Sequence, residues 1–310
     1  MSKLHKGVDE YLAMRRSLGS GLGGYDTVLH DCATFIDRHS HGVLTTDVLL
    51  RWATHRGDVS QAWWFHQLGV ARGFARFWSA KDSRTEVPPL GLLPKKKKRR
   101  QPYLYTDDDV ARLIRASSEI RCRAPLWPVT MATLIGLLAV TGMRIGEVLA
   151  LDDRDLDRET KVLTVRRAKF GKARLIPLHS TTCSALLEYV RERDRWHRSF
   201  SQSPLFPSPT GKRLQYGQVH RTFGILLEQA GLPRSHRKSG PGLHDLRHRF
   251  AINTLLRWYR AGLDVERRIY SLSTYLGHGR VDYTYWYLSA APELMGLARR
   301  RLERALGVLP

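Results

Sequence analysis

Four separated stretches of this 310-residue chain carry side chains suited to work on a phosphodiester. TGMRIGEVLAL places Arg144 three residues before Glu147, and AKFGKARLIPL carries Lys169 and Lys172. HDLRHRFA carries His244, Arg247 and His248, and LGHGRVDYTYWYLS carries His278 followed by Tyr283, Tyr285 and Tyr287. Breaking a phosphodiester without metal needs cations to meet the charge of a pentacoordinate phosphorane, a nucleophile, a base to activate it and an acid for the leaving alcohol. Arg144 and Arg247 suit the first task and Lys169 the last, with Lys172 a rival at the same hairpin. His244 and Arg247 stand at i, i+3 and so share one helix face. A tyrosine hydroxyl ionises near pH ~10, so whichever tyrosine attacks must be activated by its neighbours. Each group alone would more often be a solvated surface charge or a capping histidine; their joint occurrence is what points to chemistry.

The elements that must hold these groups follow from local pattern. TMATLIGLLAVTG predicts a buried helix ending near Gly142, which delivers Arg144 at its exit. KVLTVRRAKFGKARLIPL predicts two strands around a basic hairpin tip, giving Lys169 mobility. YTDDDVARLI opens a helix with Thr106 as N-cap and Asp109 closing a capping box. From TTCSALLEYVRERDRW onward helical periodicity prevails. If DYTYWYLSA is helical, Tyr283, Trp286 and Tyr287 share a face, while Tyr285, about 200° from Tyr287, points away. Helix phase therefore separates Tyr285 from the other two and leaves Tyr283 and Tyr287 open.

The N-terminal part reads as short helices: YLAMRRSLG, LHDCATFIDRH, TTDVLLRWATHR and VARGFARFWSA, the third opening at a Thr/Asp cap. In the last, Val70, Phe74, Phe77 and Trp78 form an apolar stripe, with Arg72 and Arg76 on another face as a basic ridge suited to DNA. Trp63, Trp64 and Trp78 are expected in the core. VPPLGLLPKKKKRRQP then holds four prolines and six consecutive cations, Lys95, Lys96, Lys97, Lys98, Arg99 and Arg100, a composition that neither sustains a helix nor buries itself. Such a run can be read as a nuclear localisation signal, but its place at a domain junction favours a strap along a phosphate backbone. The organisation expected is a helical domain over 1–88, a basic linker over 89–102 and an α-rich domain with a small β-sheet over 103–310.

Charge supports a polyanionic partner. The formal net charge is +22, and it is uneven: residues 1–90 hold 11 Lys/Arg against 9 Asp/Glu, 91–101 hold 6 against none, and 102–310 hold 34 against 20. Clustered cations gain counterion-release free energy on nucleic acid. No stretch supplies the ~20 apolar residues of a membrane span. The N-terminal MSKLHKGVDEYLAMRRS lacks a signal-peptide core, so a cytoplasmic, nucleoid-associated protein is expected. Cys32, Cys122 and Cys183 are too scattered for a disulfide framework or a metal knuckle, and no HExxH occurs; no metal and no cofactor are expected.

The four boxes, in this order and at ordinary spacing, resemble the tyrosine recombinases, or phage integrases, over roughly residues 102–290. Arg-x-x-Glu, the Lys hairpin ending in RLIPL, His-x-x-Arg, and Leu-Gly-His with a tyrosine nine residues after the histidine all match. The resemblance implies that Arg144 and Arg247 clamp the scissile phosphate with His278 as a further donor. It implies that Lys169 is the acid for the departing 5′ oxygen, that His244 manages the tyrosine proton, and that Glu147 and His248 support them. It selects Tyr287 as the nucleophile forming a 3′-phosphotyrosyl bond. It also implies a SAM-like core-binding domain and a catalytic domain closing as a C-shaped clamp on double-stranded DNA with inverted-repeat core sites. A homo- or hetero-tetramer on DNA, in a phage, transposon or chromosomal system, follows from the same likeness. One departure stands out: Gly262 and His278 are sixteen residues apart, about four more than is usual in the family, which puts an insertion or extra half-turn in RRIYSLSTYLGH.

Two rivals use the same residues differently: a type IB-like topoisomerase or resolving enzyme acting within one duplex, and a sequence-specific DNA-binding regulator that does not cut. The complete set of six catalytic side chains argues against the regulator, since binding alone does not require it. The charge distribution yields a direct test of the linker. Replacing Lys95 to Arg100 by Gln should weaken binding to every DNA sequence and reduce the slope of log K against log salt by up to about 5, since each neutralised phosphate contributes ~0.9; titrations at several salt concentrations measure it.

Overall fold

The computed structural model describes residues 2–20, 22–94, 101–166, 173–196, 203–233, 240–290 and 292–306. The cations Lys95 to Arg100, Lys169 and Lys172 lie outside the described residues. The chain divides into two compact units, Met1–Arg99 and Arg100–Pro310.

The first unit contains four helices among the described residues: α1 (Lys3–Ser17), α2 (Tyr25–Ser40), α3 (Thr46–Thr54) and α4 (Gln61–Trp78). Side-chain oxygens cap three of them: Ser2 accepts from His5 N, Thr45 from Val48 N and Ser60 from Trp63 N. Their apolar stripes meet in a core of Leu12, Leu29, Ile36, Leu49, Trp52, Phe74 and Trp78. Trp52 is fully buried and donates its indole N–H to Asp31 Oδ2 at 2.9 Å, so its polar edge costs nothing. The expected core role holds for Trp78 at 4% exposed, whereas Trp63 is 39% exposed and Trp64 donates from its indole to Arg56 O at 3.0 Å. The guanidinium of Arg72 bonds the carbonyls of Pro88 and Pro89, each at 2.7 Å, and Leu93 packs on the same core. The start of the expected linker thus runs along α4, and Arg76 is the exposed cation of the expected ridge.

The second unit is built around α6 (Leu126–Thr141), which is apolar on all sides and packs against α5 (Asp107–Ser118), α8 (Ser180–Trp196) and α10 (Leu243–Arg260). The capping box of α5 forms as expected, Asp109 N donating to Thr106 Oγ1 at 3.0 Å and Thr106 N to Asp109 Oδ2 at 2.9 Å. After α7 (Ile145–Ala150) a 3-10 turn leads into β1 (Leu156–Asp157), which pairs antiparallel with β2 (Val162–Val165); β2 pairs with β3 (Arg174–Pro177) in the register Leu163 opposite Ile176. Two strands of this sheet were expected; β1 is too short to carry a period. Helices α9 (Tyr216–Gln229), α11 (Val265–Leu276), α12 (Asp282–Ala290) and α13 (Pro292–Ala305) complete the unit. The extra residues before Leu-Gly-His are absorbed into α11, an unbroken 12-residue helix capped by the Asp264 side chain. A separate cluster, Ile252, Leu255, Leu272, Leu276, Tyr287 and Leu294, ties α10 to α11, α12 and α13. None of the described helices is long and apolar enough to cross a membrane.

Gly142 ends α6 in the left-handed region at φ 61°, its N–H closing on Leu138 O. A Cβ there would stand 2.5 Å from Phe250 Cδ1 on α10. Only glycine lets the chain turn out of α6 against α10 and set Arg144 as the N-cap of α7. Gly142→Ala should therefore cost roughly 2–4 kcal/mol, combining the left-handed penalty with overpacking; urea unfolding of the purified variant measures it.

Candidate active site

The site assembles at one end of the second unit from five segments distant in sequence. Its centre is the Glu147 carboxylate, whose side chain is 6% exposed. Arg174, at the start of β3, reaches it with both arms of its guanidinium, Nη1 to Oε1 at 2.9 Å and Nη2 to Oε2 at 2.7 Å. Arg144 contributes its backbone N–H to Oε2 at 2.8 Å and its Nη1 to Oε1 at 2.9 Å. Burial opposes ionisation of Glu147, but the hydrogen bonds and charge of Arg174, with the backbone N–H and guanidinium of Arg144, prevail and hold the carboxyl at about 2.

The same guanidinium groups grip the end of α11. Arg144 Nη2 donates to Gly277 O at 3.0 Å and Nη1 to Leu276 O at 3.4 Å; Arg174 Nε donates to Tyr275 O at 2.8 Å. Arg247, on the first turns of α10 and 1% exposed, donates to Leu276 O at 2.5 Å and Gly142 O at 2.8 Å. Three cations thus converge on the negative end of one helix and one carboxylate. Burial, then the charge of Arg144, lowers Arg247 to about 10, which leaves it protonated at neutral pH. Gly277 caps α11 at φ 65°, and a Cβ on it would crowd Arg174 Nη1 at 3.0 Å, so the glycine of Leu-Gly-His suits its turn and leaves room for the arginine beside it.

That turn delivers His278, whose backbone N–H bonds Ser273 O at 3.0 Å. Its Nδ1 lies 2.7 Å from the hydroxyl of Thr284 on α12, and its ring stacks at 6.1 Å and 23° on that of Tyr287. Tyr287 is 2% exposed, whereas Tyr283 and Tyr285 are 48% and 40% exposed. Helix phase alone left Tyr283 beside Tyr287; packing against α10, α11 and α13 separates them. Tyr287 Oη lies 3.2 Å from His248 Nδ1, and the His248 ring meets the exposed His244 ring edge-on at 4.6 Å. His248, rather than His244 alone, therefore stands at the tyrosine hydroxyl.

The structure brings together Arg144, Glu147, His244, Arg247, His248, His278 and Tyr287. Lys169 and Lys172 fall between β2 and β3 and outside the described residues. Sequence reasoning missed Arg174 and Thr284. Arg174 lay in the quoted RLIPL segment, but its alternation predicts an ordinary strand charge; nothing local announces a pairing with Glu147, 27 residues away. Among the described residues no cluster of His, Cys, Asp or Glu could hold a metal ion. Cys32 and Cys183 are buried free thiols and Cys122 an exposed one.

The site is thus a buried tyrosine beside two arginines and two histidines, on a helical scaffold with a small antiparallel sheet. Residues 104–293 match the family model described as Phage integrase family. Over 308 residues the chain is 46% identical to the integrase/recombinase y4rB of Sinorhizobium fredii, covering 98% of each. It is 29% identical over 305 residues to the tyrosine recombinase XerD of Caulobacter vibrioides, covering 94% of each. In fold it is similar to the XerH site-specific recombinase bound to a palindromic difH substrate, with a TM-score of 0.67 at 18% identity, covering 98% of this chain and 84% of that one. It is also similar to a lambda integrase tetramer bound to a Holliday junction, with a TM-score of 0.64 at 19% identity, covering 92% and 76%. The chain belongs to the phage integrase family of site-specific tyrosine recombinases, enzymes that break and rejoin DNA.

The depressed Glu147 carboxyl carries a pH signature. Its ionised form supplies stability that is complete above its ordinary value of 4.5 and is lost as pH falls toward about 2. Arg174→Met should destabilise the protein by ~3 kcal/mol at pH 7, because a buried carboxylate loses its bidentate partner. It should also shrink the loss of stability on acidification, because a Glu147 carboxyl released from Arg174 rises toward its ordinary value and then binds nearly as many protons folded as unfolded. Urea unfolding between pH 3 and 7 measures both effects.

Proposed function

We propose that this chain cuts one strand of duplex DNA per protomer through Tyr287 and passes it to a new 5′-hydroxyl as a site-specific recombinase or integrase. The observation that carries the reading is the convergence of Arg144, Arg247, His278 and Tyr287. Two guanidinium groups can hold the non-bridging oxygens of one phosphate, a task to which their planar forks are suited. Tyr287 Oη attacks phosphorus while its proton passes to His248 or His244. The bond to the 5′ oxygen breaks, and Lys169 protonates that leaving group. The 3′-phosphotyrosyl ester keeps the energy of the broken bond, so attack by a partner's 5′-hydroxyl reverses the step without ATP. Glu147 keeps Arg144 oriented throughout.

Tyr287 and Arg247 are almost wholly buried in this arrangement, so docking of a phosphate requires α12 and its surroundings to shift. In the proposed assembly the helical unit and the 103–310 unit close as a clamp on inverted-repeat half-sites. The run Lys95 to Arg100 and the exposed Arg76 lie on the backbone, and four protomers form the exchange complex. The lambda integrase tetramer on a Holliday junction and the XerH complex with its palindromic site supply the analogy.

Tyr287→Phe removes one oxygen and a hydrogen bond worth ~1 kcal/mol, so folding and site binding should survive while covalent adducts vanish. Tyr285→Phe and Tyr283→Phe, at exposed positions, should leave adduct formation within about threefold. The substrate is a nicked suicide duplex carrying the site recovered by mapping covalent protein–DNA junctions in cells. Adduct in Tyr287→Phe, or phosphate on another tyrosine, would overturn the assignment. Joined strands from two duplexes, rather than relaxed plasmid alone, distinguish recombination from topoisomerase action.

A further inference from the structure

Thr284 is 0% exposed, yet the tyrosines on either side of it are the exposed ones of α12. Its hydroxyl behaves unlike those of several other threonines within the helices. Thr130, Thr141, Thr254 and Thr274 each donate to the carbonyl four residues back, at 2.9, 2.6, 2.8 and 3.0 Å. That is the ordinary way for a helical hydroxyl to satisfy itself. Thr284 is instead aimed at the ring of His278, 2.7 Å from Nδ1, and the carbonyl of Arg280, four residues back, accepts the amide of Tyr283 at 3.3 Å.

This geometry determines which nitrogen holds the imidazole proton. A hydroxyl is both donor and acceptor, and a neutral imidazole has one nitrogen of each kind. If Nδ1 carried the proton, it would donate to Thr284 Oγ1, and the buried hydroxyl proton would need a second acceptor; the described surroundings offer it only His278. If Nδ1 is the acceptor, the threonine proton is satisfied and the ring proton sits on Nε2. Burial of an unsatisfied donor is unfavourable, so the second arrangement prevails.

We propose that Thr284 is a positioning residue that locks His278 in the Nε2–H tautomer and so makes Nε2 the nitrogen that donates to the scissile phosphate. The pairing also fixes the first turn of α12 to the turn after α11, one helical turn before the nucleophile. The proposal rests on the reading of His278 as a phosphate donor, and it assigns a role to a residue that touches neither DNA nor phosphorus. A hydroxyl at this place lets a neutral ring donate without becoming charged, which a carboxylate partner would not do.

The test uses full-length protein with ¹⁵N-labelled histidine side chains and long-range ¹H–¹⁵N correlation spectra, His278 being identified by the signals lost in His278→Gln. Wild-type protein should show an unprotonated Nδ1 and a protonated Nε2 for His278. Thr284→Val, nearly isosteric, should move both signals toward an average of the two tautomers and slow adduct formation on the suicide duplex about 10-fold. That is less than the ~10⁴ lost where a triad histidine is forced into the wrong tautomer, because valine releases the ring without imposing the other form. Thr284→Ser should restore both the spectrum and the rate. A wild-type His278 protonated at Nδ1 overturns the proposal without any variant having to fold. A slowed His278→Gln beside an unchanged Thr284→Val overturns it while leaving His278 as phosphate donor. A wild-type rate in His278→Gln removes that reading, and the role of Thr284 with it.

Discussion

The arrangement depends on one buried carboxylate. Arg144, Arg174 and Arg247 meet near the end of α11, where their mutual repulsion and desolvation would be prohibitive without compensation. Glu147 supplies a full negative charge, and the carbonyls of Tyr275, Leu276 and Gly277 supply the negative end of a helix. Removing water from cations is costly, but it also makes each of them more effective toward an incoming phosphate, since little solvent remains to screen the attraction. The cluster is therefore a poor contributor to stability, and its preorganised charge suits the phosphate-holding role proposed for it. Arg144, 30% exposed, is the member through which that site meets solvent.

Backbone geometry makes the cluster possible. Gly142 and Gly277 both cap helices in the left-handed region, and both are crowded by a side chain of another element, Phe250 in the first case and Arg174 in the second. Each glycine converts the end of a helix into a sharp turn that puts a functional residue in place, Arg144 two residues after Gly142 and His278 immediately after Gly277. Arg174 then links β3 to α7 and α11, so the strand that follows the proposed catalytic lysine is anchored to the arginine box.

The aromatic and imidazole groups form a second layer. Tyr287 packs in the apolar cluster of α10, α11 and α13 with its hydroxyl on His248 and its ring stacked on His278. In the proposed reading, a nucleophile placed in a core would be shielded from water and from stray phosphates until DNA supplied the binding free energy to reposition its helix. The short α12 is suited to such a shift, because nine residues bury less area than the long helices around it.

The sequence by itself determined the chemistry and the order of the elements. Alternation predicted the β2–β3 hairpin, the Thr106–Asp109 box the start of α5, and the cation run a phosphate-bound partner, because these depend on interactions a few residues apart or on net charge. It also named Arg144, Glu147, Arg247 and His278 as candidates, through their joint occurrence in ordered boxes, since each alone would read as a surface charge or a capping group. Helix phase could not separate Tyr283 from Tyr287, which share a face, and only the family spacing chose between them; burial of one and exposure of the other come from three helices packed on α12. Nor could it reveal that Arg72 holds the carbonyls of Pro88 and Pro89, that Arg174 is the principal partner of Glu147, or that Thr284 faces His278 instead of its own helix. Those are contacts between surfaces brought together by folding, where direction and exclusion of water, rather than residue type, decide what a side chain does.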